Sequence, residues 1–402
     1  TLIGRYAGRE ITNGHSNTVL GHASLQTATT AVTNTALGMH SMRLTTTGSD
    51  NVAVGYGALS ENSTGTRNLA IGANAYDASD TENDNLAIGY DAMTTNTAGG
   101  TRNVALGNYS EDALTSGDKN IGVGYGSLSA VTTGSENVGI GDNALGQLTT
   151  TNGNTALGSN AGFAVAGASN TAIGQYALQA ATTTNDNTAV GASALTANTG
   201  GASTTGIGSG ALSANTTGAS NTAVGAGSLN DNTTGANNVA LGRNTLSLNV
   251  TTSSNTAIGH EALKANTASN NTAVGNAALV ANTTGASNTA MGHSALAAST
   301  TGTENVAVGM YALDASGAGT DGSYNVAVGN DALGANTEGQ FNVAVGRRAL
   351  YANTTADENT SIGYLSMLAN TTGASNTAVG VSALQANTTA SNNVAVGNRA
   401  LT

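Results

Sequence analysis

One phrase dominates this sequence. The eleven residues NTTGASNTAVG occupy positions 215–225 and occur again, unchanged, at positions 370–380. Near-copies fill the rest of the chain, and we number the unit so that the Asn of NTAVG is repeat position 1 and the Gly is position 5. The unit occurs 24 times, and the spacing is nearly always 17, as from Gly208 to Gly225; the exceptions are 16 (twice), 18 and 20. So regular a period indicates a repeat architecture.

The consensus N-[TV]-A-[VIL]-G-x-x-A-L-x-x-N-T-T-G-A-S predicts short strands separated by turns. Positions 2 to 5 alternate between β-branched and small residues, which is the period of a strand. The NTTG segment has the composition of a turn. A unit of about 17 residues is too short for the common helical repeats, which need about 33 or more. We therefore predict an all-β fold, a parallel β-solenoid (β-roll) of about 24 coils with about 17 residues per coil.

Within one coil we expect a strand at positions 2–5, a corner at positions 6 and 7, a second strand around positions 8–11 and a final turn. Equivalent positions of successive coils would then lie about 4.8 Å apart, which gives a rod of roughly 115 Å. Asn side chains at position 1 would hydrogen-bond along this ladder. The two longest units carry their extra residues before Asn103 and Asn325, in the final turn, where an exposed loop tolerates insertion.

Residues of the two coils with identical phrases represent this structural framework. They are Asn221, Val224, Gly225, Leu229, Asn376, Val379, Gly380 and Leu384. We expect positions 4 and 9 to bury one aliphatic side chain each, worth about 1.5–3 kcal/mol apiece. Ordering the backbone costs about 1–2 kcal/mol for each residue of the coil, so the core of a lone coil is thin.

Both faces of the strand at positions 2–5 are restricted in residue type. Positions 2 and 4 are aliphatic or β-branched, position 5 is Gly, and position 3 is Ala, Gly or Ser except at Leu2 and Val19. A face exposed to water would vary in size and charge, so we expect one face to line the interior and the other to meet another chain. The rod is therefore predicted to be an oligomer, a trimer wound about a common axis.

Composition excludes several functions. Charged residues make up only 8 % of the chain, the formal net charge is -12, and Lys and Arg together number 11. Nucleic acid is a poor partner for such a chain, because phosphate binding needs clustered Lys and Arg. The absence of Cys excludes disulfides and thiolate metal sites. No run of about 18 apolar residues occurs, so we predict no membrane insertion in this segment.

The N-[TV]-A-[VI]-G-x-x-A-L phrase resembles the left-handed parallel β-roll repeats in the heads of trimeric autotransporter adhesins and in phage tail fibres. The resemblance covers the whole chain. It implies a left-handed homotrimer, an extracellular location on a cell surface or virion, and a role in attachment. The coil of this chain is longer than the adhesin-head coil, and no stalk, neck or membrane anchor is visible.

Both ends of the sequence fall inside a repeat unit. Thr1 enters at position 2 and Thr402 stops at position 10. We expect residues 1–402 to form one continuous solenoid, uncapped at both ends, because solenoids normally carry capping repeats. The region is then a segment of a longer fibre protein, or its ends stack on neighbouring chains.

Positions 6 and 7 carry the strongest functional signal. They vary where the neighbouring positions hardly do, and they hold most of the Tyr and Arg residues of the chain. Variable, exposed positions rich in aromatic residues are typical of a contact surface for a cell-surface glycan or protein. The alternative is that these side chains only cover the corner or pack against the next chain of a trimer. The candidate contact residues are Tyr56, Tyr90, Tyr125, Tyr176, Tyr311, Tyr364, Arg243, Arg347 and Arg348.

The other chemical signals are weak. An acidic segment offers Asp77, Asp80, Glu82 and Asp84 as oxygen ligands for one Ca²⁺, although exposed acidic turns are commoner. The five His do not cluster as ligands, and Gly-rich phrases such as GVGYG lack the helix and Lys of a nucleotide-binding loop. We expect no catalytic residues, no cofactor and no enzyme activity.

The function predicted from the sequence is therefore a structural rod in an extracellular attachment fibre, either a bacterial surface adhesin or a phage tail fibre. One alternative is a subunit of a self-assembling extracellular filament. Another is ice binding by Thr ladders, which the mixture of Thr, Val and Leu at position 2 disfavours.

Overall fold

The computed structural model describes residues 1–96, 99–181, 183–315 and 322–402. The chain divides into two compact units, Thr1–Ala202 and Ser203–Thr402, called unit 1 and unit 2 below. The regular secondary structure of the described residues consists of short β-strands, and none of these residues forms a helix. Accordingly, the described residues contain no helix long and apolar enough to cross a membrane.

Twelve described strands belong to each unit. Those of unit 1 are β1 (Leu2–Ile3), β2 (Thr18–Leu20), β3 (Thr35–Leu37), β4 (Val52–Val54), β5 (Leu69–Ile71), β6 (Leu86–Ile88), β7 (Val104–Leu106), β8 (Ile121–Val123), β9 (Val138–Ile140), β10 (Thr155–Leu157), β11 (Thr171–Ile173) and β12 (Thr188–Val190). Those of unit 2 are β13 (Thr205–Ile207), β14 (Thr222–Val224), β15 (Val239–Leu241), β16 (Thr256–Ile258), β17 (Thr272–Val274), β18 (Thr289–Met291), β19 (Val306–Val308), β20 (Val326–Val328), β21 (Val343–Val345), β22 (Thr360–Ile362), β23 (Thr377–Val379) and β24 (Val394–Val396).

Within each unit every strand pairs in parallel with the next one along the chain. Thr222 of β14 lies opposite Val239 of β15, at the same position of the following repeat. The register survives the longer units: Leu86 pairs with Val104, and Val306 pairs with Val326. Residues 97–98 and 316–321, where the added length is expected, lie outside the described residues. The structure thus confirms an all-β parallel solenoid with one repeat unit per turn; its handedness and continuity from unit to unit stay predictions.

The interior of each coil is lined by positions 3, 8, 9 and 12. Position 3 is buried in every strand from β2 to β24, and Leu229 at position 9 is fully buried. The expectation that position 4 fills the interior is wrong. Val224 and Val379 are only half-buried, and Leu241 is 45 % exposed. Successive residues of a strand point to opposite faces, so a buried position 3 places position 4 outside.

The predicted second strand around positions 8–11 is also wrong, because positions 6–11 form consecutive turns. Leu229 and Leu384 at position 9 have φ values of 48° and 54°, which L-residues seldom adopt. Backbone donors alternate in direction through this segment. The N–H of Ser228 donates to the carbonyl of Gly225 in the same coil (3.2 Å), whereas that of Leu229 donates to Thr245 in the next coil (3.0 Å). The coil thereby bends sharply while remaining bonded to its neighbour.

Glycine at position 5 marks the tightest contact between coils. Gly225 has φ of 129°, and a Cβ added to it would lie 2.5 Å from the carbonyl oxygen of Gly242. At Gly380, with φ of 134°, a Cβ would collide with the carbonyl of Gly397 in the same way. Any other residue would be strained in its backbone and would push the next coil away. This explains why all 24 units carry Gly at this position.

We expect Gly225→Ala to lower the local free energy of unfolding by about 3 kcal/mol or more, because strain and a backbone collision act together. The measurement is native-state hydrogen exchange of β14 and β15, where protection should fall about a hundredfold. Gly153→Ala is the control: its φ is 70°, but the nearest atom to the added Cβ is 3.9 Å away, so it should cost about 1 kcal/mol. Equal losses in the two variants would contradict the collision.

Buried Asn side chains form ladders between the coils. The Nδ2 of Asn221 at position 1 donates to the carbonyl of Gly235 in the same coil (2.7 Å), and its Oδ1 accepts the N–H of Asn238 in the next (2.9 Å). Asn376 makes the equivalent bonds to Ala390 and Asn393, each at 2.9 Å. The Asn ladder predicted at position 1 is therefore confirmed, and each side chain also closes its own coil.

A second Asn ladder runs along position 12 in several coils. The Nδ2 of Asn232 donates to the Oδ1 of Asn215 at 2.8 Å and to the carbonyl of Gly235 at 3.0 Å. Both side chains are fully buried. Gly235 thus accepts hydrogen bonds from Asn221 and Asn232, so the two ladders meet at the final turn of the coil.

We expect Asn221→Ala to destabilise its coil by about 3 kcal/mol, because the buried N–H of Asn238 loses its acceptor and the carbonyl of Gly235 loses a donor. Asn276→Ala changes an exposed Asn and should stay within about 0.5 kcal/mol of wild type. Hydrogen exchange of β14 and β15 measures the first effect, and exchange of β17 measures the control. A loss of protection no larger than the control's would show that the ladder adds little.

Two coils of unit 1 place a polar residue at the interior position 9. The hydroxyl of buried Tyr76 accepts hydrogen bonds from Asn85 (2.6 Å) and Asn96 (3.1 Å), which belong to the two ladder positions. Glu111 is fully buried, and neither carboxyl oxygen makes a hydrogen bond of normal geometry among the described residues. Gly122 gives it room, because a Cβ there would lie 3.1 Å from Glu111 Oε1. Burial raises the pKa of Glu111 well above its ordinary value, and the backbone N–H of Gly122 offsets only part of the shift.

Glu111 should make unit 1 less stable as the pH rises. Its carboxyl keeps a proton in the folded chain that the unfolded chain releases above its ordinary pKa of 4.5. The contribution of Glu111 to the free energy of unfolding is therefore fully present below about pH 4.5. It falls as the pH rises toward the raised pKa of the folded chain, by up to about 1.4 kcal/mol per pH unit. Urea unfolding of Glu111→Gln should lose most of this dependence between about pH 5 and pH 8, and the raised pKa values of Asp77 and Asp112 account for what remains. Glu10→Gln, at an exposed site, should retain it; identical pH profiles for wild type and Glu111→Gln would contradict the assignment.

Candidate functional site

The corner edge comprises repeat positions 6 and 7, which follow the Gly of position 5. The turn is closed by a hydrogen bond from the N–H of position 8 to the carbonyl of position 5, as between Ala349 and Gly346 (3.1 Å). Residues at position 7 have positive φ, for example 58° at Tyr176 and 54° at Arg348. This backbone carries the two side chains away from the interior, so each coil presents a pair of outward residues at the same place.

All nine candidate contact residues are exposed on the corner edge. Those of unit 1 are Tyr56, Tyr90, Tyr125 and Tyr176, and those of unit 2 are Arg243, Tyr311, Arg347, Arg348 and Tyr364. The tyrosines are 38–56 % exposed. Their exposure agrees with a contact surface, and whether they bind a partner stays a prediction.

Aromatic rings on the edge stack from coil to coil. Tyr109 lies between Tyr90 and Tyr125, with ring centroids 5.6 Å apart on each side and edge-to-face geometry. A second series contains Tyr6, His22, His40 and Tyr56, with successive centroids 5.7–6.0 Å apart. Edge-to-face pairs at these distances are favourable. The edge therefore holds ordered aromatic ladders rather than isolated rings.

In unit 2, arginine side chains lie over aromatic rings. The guanidinium of Arg347 lies 5.9 Å from the ring centre of Tyr364, and that of Arg348 lies 5.2 Å from Tyr351. Arg348 Nε also contacts Asp331 Oδ2 at 3.4 Å. Tyr351 and Asp331 were not among the sequence candidates; both contact Arg348, and both line a pocket with Tyr311.

The acidic segment does not converge on a cation site. Asp84 pairs with Arg67 of the preceding coil (2.5 and 2.9 Å), whose hydrogen bond lowers the pKa of Asp84. Glu82 is buried and accepts the backbone N–H groups of Asp80, Thr81 and Gly99. Asp80 accepts a hydrogen bond from the Ser63 hydroxyl. In the part of the chain that the structure describes, no three His, Cys, Asp or Glu residues lie together so as to hold a metal.

Asp77, the fourth acidic candidate, lies apart at position 10. Burial raises the pKa of Asp77 to about 6, with smaller contributions from Glu61 and Asp91. Burial likewise raises the pKa of Asp112 and Asp314, which occupy position 10 in other coils. Position 10 therefore holds carboxyl groups that are partly buried at Asp77 and Asp112 and buried at Asp314.

The corner groove is the channel between the side chains of positions 7 and 10. Two pockets of the described residues lie along it, one in unit 1 and one in unit 2, and each spans three successive coils. The first pocket, in unit 1, is lined by His40, Arg43, Tyr56, Gly57, Ser60, Asn74 and Asp77. The second pocket, in unit 2, is lined by Tyr311, Asp314, Asp331, Gly334 and Tyr351. Sequence analysis missed most of these residues. The signal that could have found the pockets is a Gly or Ser at position 7 or 10 of one coil, between coils that carry large residues there.

The chain matches no protein-family model and no curated protein. The sequence resemblance and the physical chemistry of the two units therefore carry the functional argument.

Proposed function

We propose that this chain is the structural rod of an extracellular attachment fibre, in which solenoids pack side by side as a homotrimer. The observation that carries the proposal is the outward stripe of aliphatic side chains at repeat position 4. Leu157 and Leu241 are 46 and 45 % exposed, and no position 4 residue of a described strand is buried.

The strand face that carries this stripe has no charged residue. Position 2, which points the same way, is Thr, Val, Leu or Ile throughout, and position 4 is Val, Leu, Ile or Met. Soluble monomers seldom expose apolar patches larger than a few hundred Å², and larger ones mark interaction sites. A face of this kind on every coil of a unit favours a permanent partner.

A second copy of this chain fits the stripe best. The stripe presents one aliphatic side chain per coil, so a matching partner must repeat at the same interval of about 4.8 Å. A parallel copy of the same solenoid meets that condition along its whole length. The resemblance to adhesin and tail-fibre repeats supports three copies, and it supports placement on a cell surface or virion. In such a fibre the coils would act mechanically, by holding the corner edge and any distal element away from the particle or cell.

Charges introduced into the stripe should dissociate the oligomer. We expect the wild-type chain to sediment as a trimer of 39.0 kDa chains, and the variant Leu157→Asp/Leu241→Asp/Met291→Asp to sediment as a monomer. Each Asp would be an unpaired charge in an apolar interface, which costs several kcal/mol. Sedimentation velocity provides the masses, and circular dichroism checks that the variant retains its strands.

The control variant carries the same charge at equally exposed aliphatic sites away from the strands. Leu248→Asp/Val250→Asp/Val381→Asp changes residues that are 43–47 % exposed and should sediment like wild type. A wild-type chain that sediments as a folded monomer would refute the proposal.

A further inference from the structure

We propose that the corner groove binds uncharged sugar rings, in the first and the second pocket. The inference rests on the proposed attachment function, for which it names the ligand class. Each pocket has a volume of about 330 Å³, near the lower end of the range of about 300–1,000 Å³ for small-ligand sites. Each therefore suits a ligand of one or two rings.

The second pocket exists because one coil lacks a side chain. Gly334 at position 10 lies between Asp314 of the preceding coil and Tyr351 of the following one, both also at position 10. A Cβ on Gly334 would lie 2.9 Å from Tyr351 Cε2, so any larger residue would displace the ring and fill the gap. The pocket is walled by the rings of Tyr311 and Tyr351 and by two carboxyl groups.

The first pocket repeats this arrangement in the other unit. Its middle coil has Gly57 at position 7 and Ser60 at position 10, between larger residues of the flanking coils. A Cβ on Gly57 would lie 3.0 Å from Asn74 Oδ1. The exposed ring of Tyr56 forms one wall, and its centroid is 6.0 Å from that of His40. In both units a coil with a small residue lies between coils with larger ones, at position 7 (Gly57) in the first pocket and at position 10 (Gly334) in the second.

The lining groups match the chemistry of a sugar. Each hydroxyl of a pyranose both donates and accepts hydrogen bonds, and one face of the ring carries C–H groups. Carboxylates such as Asp77 accept strongly, the guanidinium of Arg43 donates, and a Tyr hydroxyl does both. The face of a Tyr ring covers apolar C–H surface while its hydroxyl end stays in water.

The charges present oppose an ionic ligand. In the first pocket Arg43 balances Asp77. In the second pocket Asp331 already contacts Arg348 at 3.4 Å, and Asp314 Oδ1 accepts the N–H of Ala298 at 3.1 Å. Arg348 also covers Tyr351, which would otherwise be open to an organic cation. Carboxyl groups in both pockets repel phosphate. An uncharged, hydroxyl-rich ring is the class that remains.

Saturation-transfer NMR on the 402-residue chain tests the proposal. The probes are the methyl α-pyranosides of glucose, galactose and mannose, with N-acetylglucosamine, choline and methyl phosphate as further arms, each of which carries the C–H protons that saturation transfer detects. We expect saturation transfer to the ring protons of at least one sugar, and no binding of choline or methyl phosphate. The variant Tyr56→Ala/Tyr311→Ala should weaken sugar binding about tenfold, as expected for the loss of an aromatic anchor.

Tyr6→Ala/Tyr324→Ala is the matched control, because it removes from each unit one comparably exposed tyrosine that is not a candidate contact residue and lines neither pocket. Sugar binding should survive this change. The proposal is overturned if no sugar receives saturation, if the two double variants bind sugar equally well, or if choline or methyl phosphate binds and the sugars do not.

Sedimentation of the same samples separates this inference from the proposed function. Both Tyr double variants should retain the wild-type mass, because neither alters the strand face. A trimer without sugar binding would overturn only the ligand class. A sugar-binding monomer would overturn the trimeric rod and leave the pockets standing.

Discussion

The close approach of neighbouring backbones at repeat position 5 is the constraint on which the rest of each unit depends. Only Gly fits at residue 225, because a Cβ there would meet the carbonyl oxygen of Gly242 in the next coil. The positive φ at this Gly ends the strand and starts the turns, so position 3 faces inward and positions 6 and 7 face outward. The Asn ladders then fix the coil from inside: Asn221 bonds its own final turn and the next coil at once. Interior, strand face and corner edge all follow from this geometry.

The sequence was sufficient to predict the features that depend on period. A short, regular repeat with alternating positions 2–5 implies stacked parallel strands, and a polar residue at position 1 implies a ladder. Position 4 was misplaced because alternation shows that two faces differ without showing which one is inside. The prediction of a second strand was wrong because Leu229 was interpreted as a strand residue, whereas its φ of 48° belongs to a turn. The ladder at position 12 was hidden because Asn in NTTG also has turn chemistry.

The candidate site divides in the same way. Exposure of the corner edge could be predicted, since Tyr and Arg accumulate at two variable positions between constant ones. The corner groove could not, because it is a property of three coils at once. Its pockets exist where Gly57 or Gly334 stands at a repeat position that carries larger residues in the coils on either side. A consensus taken position by position over all repeats does not show such local gaps. The partners of Asp80, Glu82 and Asp84 likewise depend on neighbouring coils.

The strand register has a consequence for how such a chain assembles. Within each unit, each strand pairs with the strand of the adjacent repeat, even where a repeat is shortened or lengthened, so the contact order is low for a chain of 402 residues. Closing so short a loop costs little entropy, and the cost is the same for every coil added. Each finished coil offers the template for the next one. A unit can therefore grow by successive addition as its residues leave the ribosome, without waiting for distant parts of the polypeptide to be made.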